Sequence, residues 1–259
     1  MSSYLVNKLM NRPGPSFLPS WQNQKFGPVP ENFRKSNGYF LIAGYPKSGN
    51  VWLTSIVAEC LDLPVGEGAS SCSVYYAHKP LSQKYLYDPG LFRGVALVRD
   101  LRDIIVSLFH WLGTDGYKNY FKHGPHQIFY DIETMYVEFF LRRFSQMSPE
   151  TMIDGYVRRG WPVIKYERLW DQPELEIRRL FDIWGISVTN DKIEAAINKN
   201  RIENLKKEGG VLEAYIERDH FRKGGYGQYK SEIPPHVLLD IENRFGDYLR
   251  SWGYEVGVK

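Results

Sequence analysis

The stretch Tyr39-Phe-Leu-Ile-Ala-Gly-Tyr-Pro-Lys-Ser-Gly-Asn-Val-Trp52 constrains the fold more than any other part of the chain. Its apolar run reads as a buried strand, Gly44, Pro46 and Gly49 punctuate a loop, and a helix follows. Strand, loop and helix in that order make a phosphate-binding arrangement. The loop turns backbone N–H groups inward, the helix N-terminus adds its dipole, and Lys47 supplies a mobile full charge.

Four residues separate Gly44 from Gly49, as in the nucleotide-triphosphate loop G-x-x-x-x-G-K-[ST]. Asn50 and Val51, however, stand where the lysine and the metal-binding hydroxyl should follow, and the lysine lies inside the loop. A phosphate site without a hydroxyl for Mg²⁺ suits a transferred group carrying less charge than a γ-phosphoryl. A sulfuryl group meets that description, and no metal site is expected.

Tyr45-Pro-Lys-Ser-Gly-Asn-Val-Trp52 resembles the Y-P-K-S-G-T-x-W loop of the cytosolic-type sulfotransferases, which use 3′-phosphoadenosine 5′-phosphosulfate (PAPS). Three further segments follow in the family's order, so that the resemblance spans about Gly38 to Tyr229. Val95-Ala-Leu-Val-Arg-Asp-Leu-Arg-Asp-Ile-Ile-Val-Ser107 is similar to the family's strand-Arg-x-x-x-Asp-x-x-x-Ser element, which grips a 3′-phosphate. Here Val95 to Val98 reads as a buried strand. Asp100 reads as the N-cap of a helix carrying Ile104, Ile105, Leu108 and Trp111. Arg99 then lies at the carboxyl end of a strand, where open α/β sheets bind ligands. Taken singly, Arg99 reads as a surface charge and Ser107 as helix filler; order and spacing reverse that preference.

Trp161-Pro-Val-Ile-Lys-Tyr-Glu-Arg-Leu-Trp170 looks like the family's strand ending in Tyr-Glu, with a helix after Pro173. The resemblance sets Tyr166 and Trp52 against the adenine, although composition alone makes both core aromatics. Phe221-Arg-Lys-Gly-Gly-Tyr-Gly-Gln-Tyr-Lys230 resembles the R-K-G-x-x-G-x-W element that closes over the cofactor, with Gln228-Tyr229 departing from the usual residues. Arg222 offers a planar fork to phosphate and Lys223 a point charge, while Gly224 permits close backbone approach.

Ser71-Cys-Ser-Val-Tyr-Tyr-Ala-His-Lys-Pro80 reads as a short strand ending at His78 and resembles the family's K-x-H-L-P element. Tyr76 stands where the family often has a lysine, and Lys79 follows the histidine. His78 is the candidate general base, helped by like-charge repulsion from Lys79. The alternative is a histidine bonded to backbone at a strand end. The other five histidines match no motif.

The resemblance thus implies an α/β fold with a central, mostly parallel sheet flanked by helices and a P-loop-like phosphate-binding loop. It implies transfer of a sulfuryl group from PAPS to a hydroxyl or amine of a small molecule. His78 and Lys47 are its catalytic pair; Pro46, Lys47, Ser48, Gly49, Asn50, Val51 and Trp52 hold the cofactor with Arg99, Ser107, Tyr166, Arg222, Lys223 and Gly224. A small-molecule kinase is the rival enzyme, weakened by the missing Lys-Ser/Thr. A non-catalytic nucleotide-binding protein is the third reading.

The 259 residues divide into an extended, proline- and aromatic-rich arm over 1–37 and one catalytic domain over 38–259. A net charge of +3 is too mild, and too scattered, for a nucleic-acid partner. Cys60 and Cys72 fit no disulfide or metal pattern, and residues 1–25 hold no apolar run, so a cytoplasmic protein without membrane contact is expected. Nothing in the sequence sets an oligomeric state. Gly113 to Pro125 reads as a loop; the resemblance places it over the acceptor pocket, lined by Asp115, Tyr117, Tyr120 and Phe121, and a solvated loop with half-buried tyrosines is the alternative. Ile128 to Gln146 reads as an amphipathic helix. Asp115, Asp131 and Glu133 suit a polar or cationic secondary metabolite as acceptor. Val237, Leu238, Ile241, Phe245 and Leu249 form a stripe expected to pack a C-terminal helix onto the sheet.

Overall fold

The computed structural model describes residues 39–66, 72–78, 92–114, 129–144, 149–158, 160–208 and 222–257. The N-terminal arm, Lys79, and the loop residues Asp115, Tyr117, Tyr120 and Phe121 lie outside them.

Four strands, β1 (Tyr39–Gly44), β2 (Ser73–Ala77), β3 (Phe92–Val98) and β4 (Val163–Lys165), form one sheet in the order β2-β1-β3-β4. Every pairing is parallel, with Ala43 opposite Ala77 and Gly44 opposite Leu97. Strand order reverses at β1, so the chain leaves β1 and β3 towards different sides. The crevice outside their carboxyl ends is where doubly wound sheets receive ligands.

Alternation along the strands explains the two covered faces. Phe40, Ile42, Val95 and Leu97 face one core with α1 (Asn50–Leu61), α6 (Pro173–Trp184) and α7 (Asn190–Lys199). Leu41, Ala43, Ala96 and Val98 face the other, under Ile153 and Tyr156 of α4 (Pro149–Arg158). A continuous apolar run such as Val95–Val98 is what a strand buried on both faces requires. Gly94 lets Trp161 lie directly on β3, since a Cβ there would meet its ring at 2.0 Å.

A third core forms around α2 (Leu101–Leu112). Leu101, Ile104, Ile105 and Leu108 pack with Ile132 and Met135 of α3 (Ile132–Met135), and with Val237, Ile241 and Leu249 of α10 (Pro235–Ser251). The C-terminal stripe therefore packs on α2 and not on the sheet, because α4 already covers that face of the strands. Two other boundaries differ from the sequence reading. The strand before Tyr166 ends at Lys165, and Tyr166–Asp171 forms a short helix, α5. The helix expected from 128 starts at its Asp131 cap and continues beyond α3 as a π-helix over Tyr136–Phe144. Apolar residues at i and i+4, such as the stacked Tyr136 and Phe140, serve α and π turns alike. Two short helices complete the described chain: α7 is followed by α8 (Ile202–Glu208), and α9 (Tyr229–Glu232) precedes α10. Among the described residues no helix is long and apolar enough to cross a membrane.

The first turn of α2 is bound into the molecule by buried charges. Asp100 caps the helix by accepting from the Arg102 amide at 2.9 Å. The Arg102 guanidinium donates to Asp100 at 2.7 Å and to Glu242 of α10 at 2.6 Å. All three groups are buried. Removing the cation leaves two carboxylates without compensation, so Arg102→Ala should lower the unfolding free energy by about 3–5 kcal/mol. Urea denaturation of the two proteins measures this difference.

Candidate active site

After β1 the backbone enters the left-handed region twice, at Lys47 (φ 68°) and Gly49 (φ 98°). The Gly49 conformation favours glycine, and its neighbours demand one: a Cβ would lie 2.6 Å from the Tyr166 ring. The turn closes through the Ser48 amide, which donates to the Tyr45 carbonyl at 3.1 Å. Pro46 and Lys47 are half-buried, whereas Ser48, Asn50, Val51 and Trp52 are buried. Ser48 Oγ and, one turn into α1, Thr54 Oγ1 and Ser55 Oγ are buried without a hydrogen-bond partner among the described residues. Buried orphan hydroxyls are uncommon, and that of Ser48, just before a helix N-terminus, is one that an anion would complete. The Lys47 ammonium lies over the Trp111 ring, 5.1 Å from its centroid.

Arg99 joins this loop to a distant one. From the end of β3 its guanidinium donates to the Lys47 carbonyl at 2.9 Å and to the Gly225 carbonyl at 3.1 Å, and it stacks 4.2 Å over Tyr166. Its Nε is buried and has no hydrogen-bond partner among the described residues. Tyr166 also meets Trp52 edge-on, and Trp52 in turn packs on Trp170 and donates its indole N–H to the Asn200 carbonyl. Gly224 fits only as glycine between Trp170 and Ile202. The aromatic residues thus shape the floor on which both loops rest.

In the second loop, Arg222 donates to Glu232 at 3.1 Å and to Gln228, and Glu232 also meets His110 Nε2 at 2.5 Å. Lys223 is exposed, and Ser107 lies half-buried on α2. Ser107 makes no hydrogen bond to these groups among the described residues. Asp103, part of the Arg-x-x-x-Asp spacing but given no task from sequence, accepts from the backbone of Gly227 at 2.5 Å and Tyr229 at 3.1 Å. It latches the glycine loop to α2. Burial pushes its carboxyl above the usual range, while those two amides and Arg99 pull it back. Glu232 was equally silent in the sequence, because its partners lie at positions 110 and 222.

His78 follows β2 directly. Its Nδ1 stands 2.8 Å from the Gly44 carbonyl and 3.0 Å from the Asn50 amide nitrogen, with the Tyr76 ring edge-on at 5.4 Å. Burial lowers its pKa, the Gly44 bond opposes this, and the Lys47 charge lowers it further. The repelling cation described here is therefore Lys47, while Lys79 lies outside the described residues. Of the carboxylates expected near the acceptor, Asp131 is spent capping α3 and the exposed Glu133 pairs with His236. Among the described residues no cluster of side chains suits a metal ion.

A histidine held neutral by the fold weakens that fold in acid. The unfolded chain takes up a proton as pH falls through 6.5, the ordinary value, and the native state resists it. Stability should therefore drop below that pH, and less so in His78→Gln. Asp103 and Glu167, raised by burial, act in the opposite sense in both proteins, so the difference between their denaturation curves at pH 7 and pH 5 isolates His78.

The model of the sulfotransferase domain matches residues 78–253, which includes His78, Arg99 and the glycine loop and begins after the phosphate loop. A "flavonol sulfotransferase-like" protein of Flaveria bidentis is 28% identical over 181 residues, 62% of this chain and 55% of that protein. The chain thus spans about half the length of this relative. Among solved structures, a mouse sulfotransferase complexed with PAP superposes with a TM-score of 0.63 at 16% identity, covering 86% of this chain and 90% of the other. Retinol dehydratase in complex with androsterone and the inactive cofactor PAP gives 0.62 at 14% identity, covering 93% and 85%. These structures share the fold, and with most of the chain matched by the domain model, the protein belongs to the sulfotransferase family.

Proposed function

We propose that the domain over 38–259 transfers a sulfuryl group from PAPS to a hydroxyl or amine of a small molecule, in the cytoplasm, releasing 3′-phosphoadenosine 5′-phosphate (PAP). One observation carries the reading: Arg99 gathers the phosphate loop and the glycine loop at one end of a parallel sheet, with His78 beside them. The buried hydroxyl of Ser48, the left-handed turn at Lys47 and Gly49 and the Nε of Arg99, without a partner among the described residues, fit a molecule with two separated phosphates. Similar structures complexed with PAP support the same ligand, and the name of the Flaveria relative favours a hydroxyl acceptor. The cytoplasmic assignment rests on two buried free cysteines. Bound PAPS supplies a sulfuryl group on a phosphosulfate linkage.

The residues divide the work. Backbone N–H groups at the entrance of α1, from Gly49 to Trp52, hold the 5′-phosphate, with the Pro46 turn shaping their approach. Lys47 balances the charge that gathers on that phosphate as the linkage breaks, in a site already set to receive it. Arg99, Ser107, Arg222 and Lys223 hold the 3′-phosphate, with Gly224 allowing close approach, and Tyr166 and Trp52 bound the base. Neutral His78 accepts the proton that the acceptor loses as its oxygen or nitrogen bonds to sulfur. With Asp131 and Glu133 engaged elsewhere, the described surface provides no support for a cationic acceptor.

Incubating the protein with PAPS and a pooled metabolite extract should yield products one sulfuryl group heavier by mass spectrometry. His78→Ala should then cut kcat by roughly 10²–10⁴-fold while PAP binding persists. A variant with normal kcat sinks the base assignment. Arg222→Ala should weaken PAP by about 1.5–3 kcal/mol, the range for a charge-assisted bond, and leave adenosine 5′-phosphosulfate nearly unaffected in calorimetry. Equal weakening of both ligands points to a folding role instead.

A further inference from the structure

Asn50 opens α1, yet its side chain does not face the helix entrance. The amide nitrogen donates to the carbonyls of Gly44 at 3.1 Å and Tyr45 at 3.2 Å, which uses both of its hydrogens. It also lies 3.0 Å from His78 Nδ1, which is itself 2.8 Å from the Gly44 carbonyl. A carbonyl can only accept. The proton therefore resides on Nδ1, since a bare Nδ1 would set two lone pairs against each other, and the lone pair of the neutral ring resides on Nε2.

The amide is held here against a cost. Asn50 Oδ1 is buried and has no partner among the described residues, which a side chain serving only loop stability would avoid. Gly44 is shaped to the same contact, because a Cβ at that position would meet Asn50 Oδ1 at 2.3 Å and the Leu97 carbonyl at 2.8 Å. The related loop pattern carries threonine where this chain has Asn50. A threonine hydroxyl sits on Cβ, one bond nearer the backbone, and cannot span both carbonyls and the ring.

We propose that Asn50 is a positioning residue for His78: its amide holds the Gly44 and Tyr45 carbonyls in place, and the Gly44 carbonyl in turn fixes the ring and the tautomer that leave Nε2 as the basic nitrogen. The inference rests on the sulfotransferase reading for its purpose, though not for its geometry. The groups that bear on the ring are Lys47 from the phosphate loop, Tyr76 from β2, and the neutral Asn50 amide from α1.

The test is NMR of the full chain with ¹⁵N-labelled histidine, in the presence of PAP, with kinetics alongside. In the wild type, His78 should show the Nδ1–H tautomer at neutral pH. In Asn50→Thr the Gly44 bond that raises the ring pKa weakens, so that pKa should fall further, and the acid limb of kcat/KM should move down with it. kcat should fall about tenfold to 10²-fold, the usual effect of a displaced catalytic group, while calorimetry finds PAP affinity little changed. Asn50→Ser, smaller still, replaces the threonine variant if that one does not fold. An Nε2–H tautomer in the wild type overturns the proposal, as does a folded variant with the wild-type ring pKa and pH profile. A wild type that transfers no sulfuryl group but shows the expected tautomer and shift sinks the functional reading alone.

Discussion

A guanidinium cannot shed its charge, so a buried one must recruit acceptors, and Arg99 recruits them from two segments more than a hundred residues apart. The carbonyls of Lys47 and Gly225 would otherwise belong to independent surface loops. Drawn to one cation at the end of β3, they become two walls of a single cleft. Tyr166 beneath the guanidinium completes the seat, and Gly49 has to be glycine because Tyr166 is there. The conformation of the phosphate loop is thus set partly by residues that follow it by more than a hundred positions.

The first turn of α2 carries the balancing charge. Asp100 and Asp103 are both buried, and each satisfies backbone amides before anything else: Asp100 at its own helix, Asp103 at the glycine loop. Glu167 accepts from the Asp100 amide and from Tyr254, which ties α5 and the chain's last described turn to the same point. A short stretch after β3 therefore fixes the loop positions through polar contacts, while the apolar face of α2 holds α3 and α10 through packing. Separating the two tasks on opposite sides of one helix lets the cleft keep its charges without exposing the core.

Much of this was readable in the chain. The strand, loop and helix over 39–52, the doubly buried run Val95–Val98, the Asp100 cap and the positive φ of Gly224, Gly225 and Gly227 follow from local rules of periodicity and steric freedom. Contacts between remote positions were not readable. Asn50 looked like one more loop residue because its link to His78 exists only once β1 and β2 lie side by side, and Glu232 meets Arg222 and His110 only across the folded cleft. The destination of the C-terminal stripe failed for the same reason. Periodicity tells which face is buried, and only the packing of α2 and α4 tells against what.

The strand order has a metric consequence. His78 follows β2, the phosphate loop follows β1 and Arg99 follows β3, three neighbours in a single parallel sheet. Adjacent strands are about 4.8 Å apart, so imidazole, loop and guanidinium succeed one another at even steps across roughly 10 Å. The sheet edge acts as a ruler. A molecule that used both the imidazole and the guanidinium would have to lie along that span, so its direction across the site would be written into the hydrogen-bond spacing of the backbone.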